Sequence, residues 1–211
     1  MKGKQGRQLY AVNDRPVAVV PVDGGGADCL VFDFGTGEMI PDRAYFAYVT
    51  PGSGADTDVL TEAEFEARLA AYRADAGTRL ARQLQEWAHR LCEAAGAAVA
   101  VALALGLTGA AGPEDAVTAD PVPAGYRQIT VISEPRRVAV RIRPAGRLLT
   151  REILDAGLGV ARELPIFPDS GDEGHLEYTV GTPDGPDSCS VCVRIRQGAA
   201  AEIVLRREGP A

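Results

Sequence analysis

A continuous apolar stripe between residues 78 and 107 constrains this chain more than any other feature of its sequence. Apolar residues recur along it in steps of three and four, the spacing at which side chains share one face of an α-helix. The stripe consists of Leu80, Leu84, Trp87, Leu91, Ala94, Ala98, Val101 and Leu105. Residues 94–107 contain no polar side chain, so a helix there would be apolar all round. The stripe therefore predicts one long helix of about 45 Å, with its second half buried on all sides.

Two other interpretations of residues 94–107 remain open. The larger apolar residues alternate with Ala and Gly, which is the period of a β-strand. These residues are Val99, Val101, Leu103, Leu105 and Leu107. A membrane span is the third interpretation, although these 14 residues are fewer than the roughly 20 that a bilayer requires. The helix is favoured because half of the segment is Ala, the strongest helix former.

The first 60 residues predict a small antiparallel meander. Segments rich in Val and aromatic residues alternate there with turn residues, such as Asn13-Asp14 and the three glycines that begin at Gly24. Strands are predicted at 8–12, 15–22 and 29–34, with a candidate fourth strand at 45–50.

A first helix is predicted to follow this meander at residues 61–76. Thr61 and Glu64 have the spacing of a capping box, in which each side chain satisfies a free backbone amide of the first turn. An apolar stripe begins at Phe65. Gly77 is expected to separate this helix from the long one.

Composition divides the chain into four predicted segments. Residues 1–60 form the meander, 61–107 a helical segment that packs with it, 108–125 a Pro-, Gly- and Ala-rich linker, and 126–211 a β-β-α-β-β-β domain. In the last segment, strands are predicted at 129–133, 137–143, 176–180, 188–196 and 202–207, and a helix at 149–164. The fold class is therefore α+β, with an antiparallel N-terminal meander, a long central apolar helix and a C-terminal, mostly antiparallel sheet with one helix.

Charge and cysteine content limit the partners and the cellular compartment that can be expected for this chain. The net charge is -7, and the first 125 residues carry all of this excess, which argues against a protein that wraps nucleic acid. The four cysteines are scattered, so no disulfide framework is predicted. Together with the lack of an apolar run behind the N-terminal basic residues, this favours a reducing cytoplasm. Arginine far outnumbers lysine, which suggests a GC-rich, bacterial genome.

Several motifs resemble chemical sites but do not complete one. The pair Cys189 and Cys192 has the CxxC spacing, yet it lies in an alternating strand pattern that sends the two sulfur atoms to opposite faces. His89 is predicted on the polar side of the long helix, and His175 follows an acidic loop without the spacing of a calcium site. The glycines after Gly24 lead into a strand and lack the lysine of a phosphate loop. No metal site, catalytic group or cofactor is therefore predicted.

One constellation favours binding. In two predicted strands, Val and Ile alternate with arginines, so each strand offers an apolar face and a charged face. If both strands belong to one sheet, these faces coincide and create an arginine face, which consists of Arg137, Arg141, Arg143, Arg194 and Arg196. Nearby acids could neutralise it. Otherwise it could bind an acidic partner, because guanidinium pairs with carboxylate or phosphate through two hydrogen bonds.

These features favour a cytoplasmic bacterial protein that has no catalytic activity and acts by binding another protein, as adaptors, immunity-type inhibitors and chaperones do. The alternative is a small-molecule enzyme or ligand sensor with a pocket between the two halves near His175. Neither a nucleic acid nor a membrane is expected as partner. If the protein is a homodimer, the apolar helix is the expected interface.

Overall fold

The computed structural model describes residues 6–50, 52–94, 97–112, 115–134, 137–166, 171–181 and 189–208. The chain divides into two compact units, Met1–Asp75 and Ala76–Ala211. Each unit contains an antiparallel sheet, and helices occur in both. The α+β fold class, with an N-terminal meander and a C-terminal sheet, is confirmed.

The first unit contains a five-stranded meander. Its strands are β1 (Gln8–Val12), β2 (Arg15–Pro21), β3 (Ala27–Phe32), β4 (Met39–Pro41) and β5 (Thr57–Val59), in the order β4-β3-β2-β1-β5. Asn13 and Asp14 make the tight turn between β1 and β2, with φ angles of 46° and 66°. Both residue types tolerate this left-handed backbone because their short polar side chains can hydrogen-bond locally.

The predicted strand at 45–50 is wrong. Arg43–Tyr45 forms a 3-10 turn and Phe46–Val49 a short helix, α1. The carboxylate of Asp42 accepts a hydrogen bond from the amide of Ala44 at 3.0 Å and so starts the turn. This cap outweighs the strand preference of the aromatic and β-branched residues that follow.

The long helix α2 (Glu62–Glu93) begins in the first unit and ends in the second. The capping box is confirmed, since Glu64 accepts from the Thr61 amide at 2.8 Å and the Thr61 hydroxyl accepts from the Glu64 amide at 3.3 Å. The predicted break at Gly77 is wrong, because the helix continues through it. A Cβ at Gly77 would lie 2.5 Å from the carbonyl oxygen of Leu148, so this glycine permits close packing.

The apolar segment after α2 is helical, but it does not continue α2. The helix α3 (Ala98–Ala104) follows the end of α2 at Glu93, so the single helix predicted over 78–107 is wrong. Val101 is completely buried, whereas Val99 and Leu103 are 49% and 64% exposed. The segment is therefore not buried on all sides, because α3 packs against the sheet of its unit through one face. Among the described residues, no helix combines the length and apolar character that a membrane crossing requires.

The second unit contains an eight-stranded antiparallel sheet. Its elements are β6 (Gly109–Gly112), β7 (Ala116–Ala119), β8 (Tyr126–Glu134), β9 (Arg137–Pro144), α4 (Arg151–Leu158), β10 (Arg162–Leu164), β11 (Gly174–Val180), β12 (Cys189–Arg196) and β13 (Ala199–Glu208). The strand order is β10-β11-β12-β13-β9-β8-β7-β6.

Two segments of this unit differ from the sequence-based division. Residues 108–125, predicted as a linker, contain β6 and β7. The helix predicted at 149–164 is shorter, and its last residues form β10 instead. Gly157 lies inside α4, where a Cβ would be 2.8 Å from the Cβ of Ala81 on α2, so here too glycine allows close packing.

The core of the second unit lies on one face of this sheet. The later part of α2, together with α3 and α4, covers that face through one continuous apolar cluster. Leu84 and Leu91 of α2 contribute to it, as do Val140 of β9, Val191 of β12 and Leu205 of β13. Because side chains alternate along a strand, the residues between them point to the opposite, polar face.

A disulfide joins the end of α2 to this sheet. It links Cys92 and Cys189, which are 97 residues apart in the sequence and have a Cα–Cα distance of 5.6 Å. The prediction that the scattered cysteines form no disulfide framework did not include this long-range bond. The two positions meet only in the folded unit, so a spacing of 97 residues does not predict the bond.

Candidate functional site

The polar face of the second sheet collects the arginines that the sequence predicts to lie together. Val204 of β13 pairs with Arg141 of β9 on one side and with Cys192 of β12 on the other. This register brings the polar faces of β9 and β12 to the same side of the sheet, with β13 between them. Arg137, Arg141 and Arg143 lie on this face from β9, and Arg194 and Arg196 from β12.

The first part of this face, on β10 to β13, is an ion-pair cluster in which acids match the arginines. The cluster consists of Arg162, Asp172, His175, Glu177, Arg194, Arg196, Glu202 and Arg206. Most members come from adjacent strands, because cross-strand neighbours on one face approach closely enough to pair.

In one half of the cluster, Asp172 is the carboxylate that the other side chains share. Its carboxylate lies 2.7 Å from Nε2 of His175 and accepts hydrogen bonds from Nε of Arg194, at 3.2 Å, and of Arg196. Arg194 also donates to Glu202 at 2.8 Å. The Asp172 side chain is only 1% exposed. The contact with His175, followed by that with Arg196, holds the pKa of Asp172 well below its usual range.

In the other half of the cluster, Glu177 is the carboxylate that the arginines share. It accepts a hydrogen bond from Arg206 at 2.6 Å and two from Arg162, while Arg206 also donates to the hydroxyl of Ser190 at 2.7 Å. Its side chain is 10% exposed. Burial raises the pKa of Glu177, but the hydrogen bonds from Arg162 and Arg206 outweigh this effect and leave the pKa below its usual value.

The two cysteines of the CxxC pair lie on opposite faces of β12, as the alternation predicts. Cys189 is buried on the core side in its bond with Cys92. Cys192 lies on the polar face, 3.8 Å from a carboxylate oxygen of Glu177. Burial raises the pKa of the Cys192 thiol, which keeps it protonated and poorly nucleophilic. The pair therefore has neither the converging sulfurs of a metal knuckle nor the geometry of thiol exchange.

His175 lacks the surroundings of a catalytic base. Its ring contacts Asp172, and within the described part of the chain no serine or cysteine bonds to it. A nucleophile in hydrogen-bond reach is what a His–carboxylate pair needs in order to act in catalysis. The carboxylate is also matched by Arg194 and Arg196. In the same described residues, no group of three or more His, Cys, Asp and Glu side chains could hold a metal ion.

The second part of the polar face is the arginine strip on β9, which consists of Arg137, Arg141 and Arg143. Arg141 and Arg143 are exposed, and within the described residues neither guanidinium has a hydrogen bond or an ion pair. Their register partners on β8 are uncharged, since Thr130 pairs with Arg141 and Gln128 with Arg143.

Arg137 begins the strip at the first residue of β9. Its Nε atom is buried and lacks a hydrogen-bond partner in the described part of the chain. Glu134 stands opposite Arg137 in register, but no ion pair joins the two side chains. Glu208 of β13 also stands opposite Arg137 in register, so acids flank this end of the strip. Arg141 and Arg143, in contrast, carry positive charge that their register partners on β8 do not neutralise.

The five predicted arginines thus fall into two different environments. Arg194 and Arg196 belong to the ion-pair cluster, whereas Arg141 and Arg143 of the strip have no ion pair among the described residues. The sequence prediction missed the acids of the cluster. A signal for Glu177 was present, because His175, Glu177 and Thr179 alternate with apolar residues along β11. Asp172 gave no such signal, since it lies in a loop that only the fold brings to β12.

Comparison of the chain with protein-family models, with curated protein sequences and with solved structures gave no match. The functional argument consequently rests on the chemistry of the polar face.

Proposed function

We propose that this protein has no catalytic activity and acts by binding a partner protein through the arginine strip. One observation carries the proposal. Arg141 and Arg143 lie side by side on an exposed sheet face without ion pairs among the described residues, while the arginines on β10, β12 and β13 of that face are ion-paired.

The energetics of arginine favour this assignment. Two like charges on neighbouring positions of one strand face repel each other weakly, so they do not stabilise the fold by themselves. Each guanidinium presents five donors in a rigid plane that matches the two oxygens of a carboxylate. An incoming acid can therefore form charge-assisted hydrogen bonds with Arg141 or Arg143 without breaking a bond inside the protein.

The surroundings of His175 give less support to an enzyme or a ligand sensor. The side chain is bonded to a carboxylate that two arginines already neutralise, and the nearby Cys192 is a protonated thiol. Ordinary ion pairing accounts for all of these contacts. A binding function needs none of them to react.

Partner capture from the native host tests the proposal. The immobilised protein should retain a specific protein that a variant with Arg141→Glu and Arg143→Glu does not retain. The matched control is Arg43→Glu, because Arg43 is an exposed arginine that pairs with Asp28 in the other unit. Recovery of the same protein by all three forms would contradict a role for the strip, as would the recovery of none above background.

A further inference from the structure

The spacing of the arginine strip defines the kind of partner segment that fits it. Arg141 and Arg143 are two residues apart on one strand, so their Cα atoms repeat at about 6.8 Å along β9. An extended peptide has the same repeat between alternate residues. Acids on two alternate residues of such a peptide would meet Arg141 and Arg143 without any change in backbone.

The neighbouring strands add uncharged hydrogen-bonding groups beside the strip. Thr130 and Gln128 of β8 lie opposite Arg141 and Arg143, and Thr118 of β7 pairs with Thr130. The hydroxyls of Thr118 and Thr130 are 3.5 Å apart. These side chains can donate to carboxylate oxygens that the arginines leave unsatisfied. Val204, on the other side of Arg141, adds no charge.

From this geometry we propose that the arginine strip binds an extended acidic protein segment with carboxylates on alternate residues. The inference rests on the proposed binding function and adds the chemistry and conformation of the ligand. Charge complementarity carries it, because the positions beside Arg141 on β8 and β13, and beside Arg143 on β8, are uncharged. A single-stranded nucleic acid fits less well, since its binding sites combine basic groups with aromatic stacking platforms. Near the strip, the polar face instead presents Thr118, Gln128 and Thr130.

Fluorescence anisotropy with two short labelled peptides tests the inference. In the first peptide Asp and Thr alternate. The second has the same composition, with all its Asp residues grouped at one end. The first should bind saturably at low salt and at least several-fold more tightly than the second. Binding should weaken as salt rises, because the contacts are exposed charges.

Single substitutions locate the binding site. Arg141→Gln and Arg143→Gln should each weaken binding of the alternating peptide roughly tenfold, the usual effect of losing one charge-assisted interaction. Arg141→Lys should fall between the wild type and Arg141→Gln, because lysine keeps the charge but cannot bind a carboxylate through two parallel bonds. Arg43→Gln is the matched control and should bind as the wild type does. Thermal melts should be the same for all variants.

Four results of the binding measurements would overturn the inference. They are the absence of binding at low salt, equal affinity for the two peptides, equal losses in Arg141→Gln and Arg43→Gln, and tighter binding of a single-stranded oligonucleotide than of the alternating peptide. A dimer that forms in low salt and is lost in Arg141→Gln would show that a second copy occupies the strip, which also overturns it. If the peptide fails while capture of a native protein still requires Arg141 and Arg143, only the extended acidic ligand is disproved and the binding function stands.

Discussion

The ion-pair cluster and the arginine strip lie on the same face of one sheet, yet they have opposite charge balance. Both arise from strands in which arginine alternates with Val or Ile. In the cluster, Glu177 of β11 and Glu202 of β13 stand beside the arginines in register or reach them by hydrogen bonds. Beside Arg141 of the strip, the corresponding positions hold Thr130 and Val204. The difference between structural and available arginines is therefore decided by the neighbouring strands.

The largest expected effect is the loss of stability when the disulfide is removed. This bond joins β12 on its core face, opposite the polar face that carries the cluster. A variant with Cys92→Ala and Cys189→Ala should lose about 3 kcal/mol of unfolding free energy, because the crosslink closes a long loop in the unfolded chain. Urea denaturation with and without reductant measures this loss. Cys192→Ala is the control and should leave the response to reductant unchanged. If reductant does not shift the wild-type midpoint, the crosslink does not stabilise the unit.

A smaller loss is expected when an acid is removed from the cluster. Glu177→Ala should lower the unfolding free energy by about 2 kcal/mol, since Arg162 and Arg206 lose the carboxylate that accepts from both. The cost is limited because these arginines can still reach water. The matched variant Thr130→Ala, at an uncharged position beside the strip, should change stability by no more than about 0.5 kcal/mol. Equal losses in denaturant titrations would remove the energetic distinction between the two regions.

Low pH should reduce the stability that the ion pairs of the cluster contribute, whereas the strip has no carboxylate to protonate. Because the folded-state pKa of Asp172 is lowered, its contribution to stability is present above the usual carboxyl pKa of about 4 and is lost as the pH falls further. Wild-type melting temperatures should therefore decrease below that pH. Asp172→Asn should show a shallower decrease, whereas Arg141→Gln should follow the wild type. Identical acid profiles for wild type and Asp172→Asn would contradict the pKa assignment.

A designed acid should convert the strip into a second cluster. Thr130→Glu places a carboxylate beside Arg141 in register, as Glu202 is placed beside Arg194. The new pair should change stability by only about 0.5 kcal/mol. It should also abolish binding of the alternating Asp-Thr peptide, while Thr130→Ser should retain it. Undiminished peptide binding by Thr130→Glu would show that Arg141 is not the contact.

The sequence predicted the elements with strong periodicity and missed those without it. The apolar stripe through Leu84, Trp87 and Leu91 belongs to a helix, and β9 and β12 follow their alternating patterns. The strands β6 and β7 lie in a segment of Gly, Ala and Pro, whose small side chains carry little pattern. Such residues become strands because β8 provides hydrogen-bond partners for β7, and β7 provides them for β6, and this pairing is a property of the fold.

The candidate site was predictable to a similar extent. Alternation placed the five arginines on strand faces, and the register of β13 put those faces together. Which arginines have acidic partners could not be deduced, because Asp172 reaches Arg194 and Arg196 from a loop. Charge balance on a sheet depends on strand order, and the order β12-β13-β9 is not encoded in any local pattern.

The central claim is that the strip serves binding whereas the cluster serves the fold, and a paired comparison of two double variants tests it most directly. The measurements are capture of the native partner and melting temperature, for Arg141→Ala with Arg143→Ala and for Arg194→Ala with Arg196→Ala. The strip variant should lose capture and melt as the wild type does. The cluster variant should melt at a lower temperature, because the buried Asp172 loses the two arginines that pair with it. While it remains folded, this variant should still capture the native partner. A strip variant that retains capture, or a cluster variant with an unchanged melting temperature, would contradict the division of this face into two functions.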